Sequence, residues 1–361
     1  MSLSSPAAHP ARLEQLAIIG NTTNITWRAA LVPQFAAHPP GRGVQLLAGL
    51  RSGWRERLAA NQASGRLAMF RDNDGEAVPV PGSFDAGQNW PHCAKIIGDI
   101  RDQGNCGCCW AFVGAEVSSD RLCIATNGSL VLPISAQDVC FCSNEGLGCF
   151  GGDLDGPYFH VRDKGAVTGG QHNASGPFGG GFCSAFSLPH CHHHGPRRDD
   201  PYPDEYSKGC PEPKGFFGPA CPTACDKDAS AEHQDFQNDK VYFDGRVEWS
   251  GGAESQRPSE QEVQEQIMRM VIKGGPVSVG FTVYEDFENY VSGIYHHVHG
   301  NEVGGHAVKL VGWGVENGTK YWRLANSWNR FWGEGGYFRV KRGRRESCGI
   351  EDVAVAPSHS V

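Results

Sequence analysis

The sequence predicts an α+β fold with a mainly helical front half and an antiparallel β back half. Three observations carry this. From Cys109 to about Ala125 the pattern is helical, with Phe112, Ala115, Leu122 and Cys123 available for one face. A second helix opens at Ser259, where Ser259 and Glu262 have capping-box spacing, runs along Val263, Ile267, Met270 and Val271, and stops at Gly274. Beyond it, Val277, Val279, Phe281 and Val283 alternate in VSVGFTV, and HAVKLVGWG, KYWRLANSW and GYFRVKRG carry similar short strand patterns. A cleft between two such halves is the natural place for chemistry.

Taken in order, the chain begins with a segment unlike the rest. Residues 1–80 contain no Cys and no Lys, and eight Arg against five acidic residues give 8 − 5 = +3. The remainder carries 24 − 35 = −11 and all fourteen cysteines. Leu47, Leu50, Trp54 and Leu58 predict one short amphipathic helix, and Val78-Pro-Val-Pro-Gly82 reads as an exposed linker. A basic, cysteine-free segment hinged to an acidic, crosslinked body has the organisation of an inhibitory prosegment, 1–80, before a body at 81–361. An ordinary small N-terminal domain has the same composition. The stretch 140–245, rich in Gly, Pro, His and Cys, reads as loops held by disulfides.

Composition narrows the functional classes. At 361 residues the chain fills about two average domains. A formal charge of 32 − 40 = −8 gives no electrostatic reason to expect nucleic acid or an anionic membrane. No apolar stretch reaches the roughly 18 residues of a membrane-spanning helix. Fourteen cysteines in a chain long enough to fold without them point to an oxidising compartment. Sequons at Asn21, Asn24, Asn127, Asn173 and Asn317 agree with it. The first residues, MSLSSPAAHPARLEQ, have no apolar core of the kind a signal peptide needs, and the expectation is that the leader is absent from this sequence.

The densest chemistry is in QGNCGCCWAF, Gln103 to Phe112. A thiol at the start of a helix is a plausible nucleophile, because the positive end of the helix dipole favours the thiolate. Acyl transfer through it needs a histidine to take and return the proton, a group to orient that ring, and donors facing the developing oxyanion.

That segment, GCFGG at 148–152, GGHAVKLVGWG at 304–314 and NSWNRFWGEGGYF at 326–338 resemble the papain-like cysteine proteases, in the family's order. SFDAGQNWPHC, RDQGNCG, FTVYEDFENY and WGVENGT resemble the cathepsin B branch, and NTTNITWRAA resembles its propeptide. The resemblance implies a two-subdomain fold, the left roughly 90–240 with an occluding loop at 183–210, the right roughly 241–350. By motif, Cys109 is the nucleophile, His306 the general base and acid, and Asn326 the group that holds its ring. Gln103 supplies the oxyanion hole with a side-chain donor. Trp328 shields the His–Asn pair and walls the leaving-group side, and Gly151 and Gly152 pair with the substrate backbone.

CHHHG at 191–195 resembles the occluding loop of cathepsin B, whose adjacent histidines, His193 and His194 by motif, bind the substrate's C-terminal carboxylate and so direct removal of dipeptides. A zinc site built from His190 and Cys191–His194 is the competing reading. The family's pairing places Asp102 against the first loop histidine, but Phe331 stands where a second anchoring aspartate is expected, which implies a loop that opens more readily and favours endopeptidase cleavage. Val353 stands where cathepsin B often has the glutamate that accepts arginine in the second substrate pocket, which implies an apolar or aromatic preference there.

By the same resemblance five disulfides carry over: Cys93–Cys123, Cys106–Cys149, Cys140–Cys221, Cys183–Cys225 and Cys191–Cys210. Cys348 is then unpaired, and Cys108 and Cys142 remain either as a sixth bond or as thiols. A metal cluster in the CGCC and CFC runs is the alternative, and leaves WAF, GGHAV and NSW unexplained. The resemblance implies no cofactor and no metal. It implies peptide and protein substrates, the prosegment and cystatin-type inhibitors as partners, and a lysosomal, vacuolar or extracellular setting. A secreted, catalytically silent binding protein of the same fold is the rival reading; the intact Cys109, His306, Asn326 and Gln103 count against it.

Overall fold

The computed structural model describes residues 8–31, 39–41, 48–72, 78–192, 201–203, 207–210, 218–251 and 259–358. Among them the longer helices are α1 (Pro10–Asn21), α2 (Trp54–Ala63), α3 (Cys109–Ala125), α4 (Ala136–Cys142), α5 (Gly156–Lys164) and α6 (Glu260–Gly274). The strands are β1 (Trp27–Ala29), β2 (Ala68–Met69), β3 (Phe84–Asp85), β4 (Val247–Gly251), β5 (Val277–Tyr284), β6 (Tyr290–Tyr295), β7 (Glu302–Glu316), β8 (Thr319–Ala325), β9 (Tyr337–Lys341) and β10 (Val353–Pro357). Helices α3–α5 build the front half, and one sheet ordered β1-β6-β9-β8-β7-β5-β10-β4-β2 builds the back half, with β3 beside β7. The sheet is antiparallel except where β6 meets β9 and β2 meets β4.

The capping box predicted at Ser259 is formed. Ser259 Oγ accepts from the Glu262 N–H at 3.3 Å, and the Ser259 N–H donates to Glu262 Oε2 at 2.6 Å. Val263, Ile267, Met270 and Val271 are buried as the stripe predicts. The other two patterns are more deeply buried than their periodicity indicates. Helix α3 is buried nearly all round, because α4, α5, β7 and β10 pack on different sides of it. Its polar residues Glu116 and Asp120 therefore face Lys309 of β7 rather than water. Strand β5 is buried on both faces. Ser278 meets the Tyr158 hydroxyl of α5, and Gly280 lies under the Trp54 indole of α2.

The N-terminal segment adds a strand at both edges of the sheet, β1 on β6 and β2 on β4. Exposed edge strands invite pairing, and here the chain's own first residues cover them. The predicted amphipathic helix begins later than its pattern suggests, at Trp54 after Gly53 in the left-handed region (φ 74°). Trp54 and Leu58 are buried in it, whereas Leu50 is extended and spends its backbone hydrogen bonds on the body; Leu47 lies outside the described residues. Arg12, Arg51, Arg55, Arg57 and Arg66 of this segment pair with Glu288, Asp153, Asp352, Asp153 and Glu145 of the body.

Four of the five inferred disulfides are present: Cys93–Cys123, Cys106–Cys149, Cys183–Cys225 and Cys191–Cys210. The fifth is corrected. Cys221 bonds Cys142, not Cys140, which also removes the Cys108–Cys142 option. The reason is helical geometry: at the end of α4, Cys142 points outward to the 218–225 loop, while Cys140, two residues back, points in against α3 and is buried. Cys108, Cys109, Cys140 and Cys348 carry thiols. Asn24, Asn127, Asn173 and Asn317 all sit in exposed turns with φ between 49° and 62°.

Candidate active site

Cys109 is the first residue of α3. Its sulfur is buried between the two halves and accepts hydrogen bonds from the backbone N–H of Ala307 at 3.3 Å and of Gly49 at 3.2 Å. His306 is the residue immediately before Ala307 on β7, so its backbone adjoins this donor to the sulfur. Its Nε2 is 2.8 Å from Asn326 Oδ1, at the end of β8. Asn326 is itself fixed, because the same Oδ1 accepts from the Ser327 N–H at 2.8 Å and its backbone N–H donates to Gly336 at 2.9 Å. Trp328 is fully buried and lies against His306, ring centroids 4.9 Å apart, excluding water from the His–Asn pair.

Gln103 is buried beside the turn that leads into Cys109. Its Nε2 donates to the Cys106 carbonyl at 2.7 Å, and its Oε1 accepts from Ser327 Oγ at 2.7 Å. These two bonds settle which end of the amide is the donor. Ser327 was not singled out from the sequence, although it lies inside the quoted NSW motif.

Gly151 and Gly152 are brought to the same cleft. Gly152 packs on the face of the Trp110 indole, where a Cβ would overlap the ring. Its N–H donates to the Gly49 carbonyl at 2.9 Å, and its carbonyl accepts from the Arg51 N–H at 3.1 Å. Leu50 completes the seating by donating its N–H to the Gly305 carbonyl at 2.9 Å. The segment thereby crosses the cleft paired parallel to Gly152 and antiparallel to Gly305, with Gly49 directly over the sulfur. Gly49 had no sequence signal of its own. It is glycine because a Cβ there would overlap the Gly107 carbonyl and lie 3.1 Å from Cys109 Sγ.

Enclosed in this way, the Cys109 thiol is pushed up to about 12, chiefly by burial, with the Ala307 and Gly49 N–H groups pulling the other way. A thiol in that range is not a nucleophile at neutral pH. Burial under the 48–51 segment thus disfavours the thiolate of Cys109.

At the far end of the cleft, Asp102 holds the stem of the 183–210 loop. One of its oxygens accepts from the Cys191 N–H at 3.2 Å and from Asn329 Nδ2 at 3.2 Å, and lies 3.3 Å from His190 Nδ1. Asn329 Nδ2 also donates to the Cys191 carbonyl at 2.9 Å. Tyr202 stacks on His190 with centroids 4.7 Å apart and meets Phe331 edge-on at 5.8 Å. Where a charged second anchor was expected, an aromatic contact stands instead. His193 and His194 lie outside the described residues. Val353 is 4 % exposed on β10, opposite Gly251, beside Asp352, whose carboxylate takes Arg55 of the N-terminal segment.

The sequence profile of the papain family cysteine proteases matches residues 80–358. A cathepsin B-like cysteine proteinase 4 of Caenorhabditis elegans is 41% identical over 277 residues, 76% of this chain and 74% of that protein. A cathepsin B-like cysteine proteinase of Schistosoma japonicum is 41% identical over 281 residues, 77% and 73% of the two chains. Among solved structures, procathepsin B S9 from Trypanosoma congolense is similar with a TM-score of 0.66 at 27% identity, covering 97% of both chains. A recombinant stem bromelain precursor is similar in fold alone, with a TM-score of 0.61 at 19% identity over 97% of this chain and 89% of that one.

Proposed function

The chain belongs to the papain family of cysteine proteases, on its cathepsin B-like side, and from that premise we propose that it is a zymogen whose body, once freed of residues 1–80, hydrolyses peptide bonds through a thioacyl intermediate on Cys109. The observation that carries this reading is the passage of Ala48–Arg51 through the cleft, backbone-paired to Gly152 and Gly305 with Gly49 over the sulfur. On this reading a polypeptide already lies where a substrate would, with its Gly49 carbonyl taken by the Gly152 N–H.

In the reaction, His306 takes the Cys109 proton and returns it to the leaving amine. Asn326 Oδ1 holds the ring through its Nε2. The oxyanion is met by the Cys109 N–H at the start of α3 and by the Gln103 amide, oriented by Ser327. Gly152 offers the substrate backbone the N–H and carbonyl that Gly49 and Arg51 now occupy.

Two finer features belong to the same reading. The loop stem held by Asp102 and Asn329 beside Trp328 supports a loop that shortens the primed side, with His193 and His194 taking a C-terminal carboxylate; C-terminal dipeptide removal and endopeptidase cleavage then share one site. Val353 supports an apolar or aromatic preference in the second pocket. Cystatin-type proteins are the expected inhibitors, and a lysosomal, vacuolar or secreted setting suits five disulfides. Among the described residues no helix is long and apolar enough to cross a membrane.

The test is labelling with a peptidyl epoxide before and after removal of the segment, with the modified peptide identified by mass. Label on Cys109 in the processed chain only is expected. Label on another cysteine, or equal label on the intact chain, would refute the assignment.

A further inference from the structure

Next to the nucleophile lies a second pair of thiols that the proposed reaction does not use. Cys108 is the residue immediately before Cys109 and caps α3; Cys140 lies on α4, which packs against α3. Both are buried, neither is bonded, and the sulfurs of Cys106, Cys108 and Cys140 lie within 4.8 Å of one another. Cys106 is already committed to Cys149, so the cluster has two thiols to offer, too few for a closed metal site.

Two thiols this close, in a chain that carries five other disulfides, are placed to bond rather than to pack. Cys140 also lines a pocket of about 210 Å³ with Phe141, Gly146, Leu147 and Pro219. The geometry points to a sixth disulfide, Cys108–Cys140, tying the residue before the nucleophile to the cleft wall formed by α4 and the 146–152 turn.

The chemistry balances with a disulfide oxidant such as oxidised glutathione. The Cys140 thiolate attacks one glutathione sulfur, that S–S bond breaks, and one glutathione thiolate leaves and takes up a proton. Cys108 then attacks the Cys140 sulfur of the mixed disulfide, losing its proton to the second departing glutathione. Two protein thiols are oxidised and one glutathione disulfide is reduced to two thiols. Burial and the neighbouring Cys140 hold the Cys108 thiol far above the ordinary thiol range, which slows the second step in the closed fold and places bond formation during assembly of α3 against α4.

The experiment is thiol counting on the full chain, refolded in a glutathione redox buffer, then denatured without reductant and alkylated. Two alkylated cysteines, Cys109 and Cys348, are expected, with Cys108 and Cys140 recovered in one disulfide-linked peptide. Cys140→Ser should raise the count from two to three by exposing Cys108 to alkylation. Four alkylated cysteines in the parent chain would overturn the proposal, and so would zinc that holds both thiols until a chelator releases them. The parent count decides the matter even where the variant fails to fold.

Discussion

Gly49 gives its backbone N–H to the Cys109 sulfur at 3.2 Å, so the segment proposed to inhibit the chain lies directly over the thiol. Adding a methyl at Gly49 forces it into the Gly107 carbonyl and toward the sulfur. Such overpacking costs about 1–3 kcal/mol, which favours the lifted segment by about five- to hundredfold. Gly49→Ala in the full chain should therefore speed epoxide labelling of Cys109 at neutral pH by at least about fivefold over the parent. Labelling at the parent rate would mean that inhibition does not depend on this seat.

The covered thiol also fixes a pH signature. With its pKa pushed up to about 12, the Cys109 thiol of the intact chain stays protonated across the neutral range. Alkylation by iodoacetamide should be slow there and rise only in strong alkali. After removal of the segment, the imidazole of His306 and the helix start favour the thiolate, and the profile should move to an acidic limb several pH units lower. Identical profiles before and after processing would show that the segment does not govern the nucleophile.

Much of this was legible beforehand because it depends on local chemistry. The Ser259–Glu262 capping box, the alternation of Val277–Val283 and the placement of Cys109 at a helix start all follow from neighbours a few residues apart. The family motifs added His306, Asn326 and Gln103, whose pairing depends on contacts over hundreds of residues that no periodicity encodes. What was illegible had the same cause. Cys140 and Cys142 differ by two positions on one short helix, so the choice of partner for Cys221 rested on which way each points once α4 docks on α3. Likewise, nothing around Leu50 announced that it would leave the helical stripe, because the hydrogen bonds that hold it extended come from Gly305 and Gly152.

Asn326 tests the orientation of the catalytic ring. The 2.8 Å bond to His306 Nε2 is buried under Trp328, where a bond to a charged group is worth about 1.5–3 kcal/mol. Asn326→Ala should lower kcat/KM of the processed enzyme by about ten- to hundredfold, mostly in kcat, since the substrate does not touch this residue. A loss confined to KM would place Asn326 in substrate binding instead.

The segment's ionic clasps make separable predictions. Asp153 takes both Arg51, at 2.6 Å, and Arg57, at 2.7 Å, with the arginine side chains partly exposed. Partly exposed pairs are worth up to about 1 kcal/mol each, so Asp153→Asn should release the segment about five- to thirtyfold faster and flatten the salt dependence of release. Asp72 behaves differently with pH. Its carboxyl is held below its ordinary value, first by the hydrogen bond to Lys273. A lowered carboxyl pKa contributes stability above its ordinary value near 3.8 and loses it as the pH falls through the lower, folded value. Asp72→Asn should therefore loosen the segment similarly at pH 5 and 7, with the difference shrinking as the pH falls below the ordinary value of 3.8. Segment loss followed on gels across that range decides it.

Lys309 is buried with Glu116 and Asp120 around it, and this cluster should make the body's stability depend on pH. Burial raises Glu116 to about 7 and Asp120 to about 6 from ordinary values of 4.5 and 3.8, outweighing the attraction of Lys309 at 3.5 and 2.9 Å. Carboxyls raised on folding bind protons more readily in the native state than in the unfolded one. Stability from them is thus greatest below about pH 4 and is lost as the pH climbs through 6 to 7. A Cys109→Ala chain, which cannot digest itself, should show a melting temperature that rises as the pH is lowered from about 7.5 to 5, and Glu116→Gln should flatten that rise. Lys309→Met should destabilise by about 3–5 kcal/mol at neutral pH, because it strands two buried carboxyls, and by much less at pH 5, where both are protonated. A melting temperature that falls on acidification over this interval, in parent and Glu116→Gln alike, would refute the account.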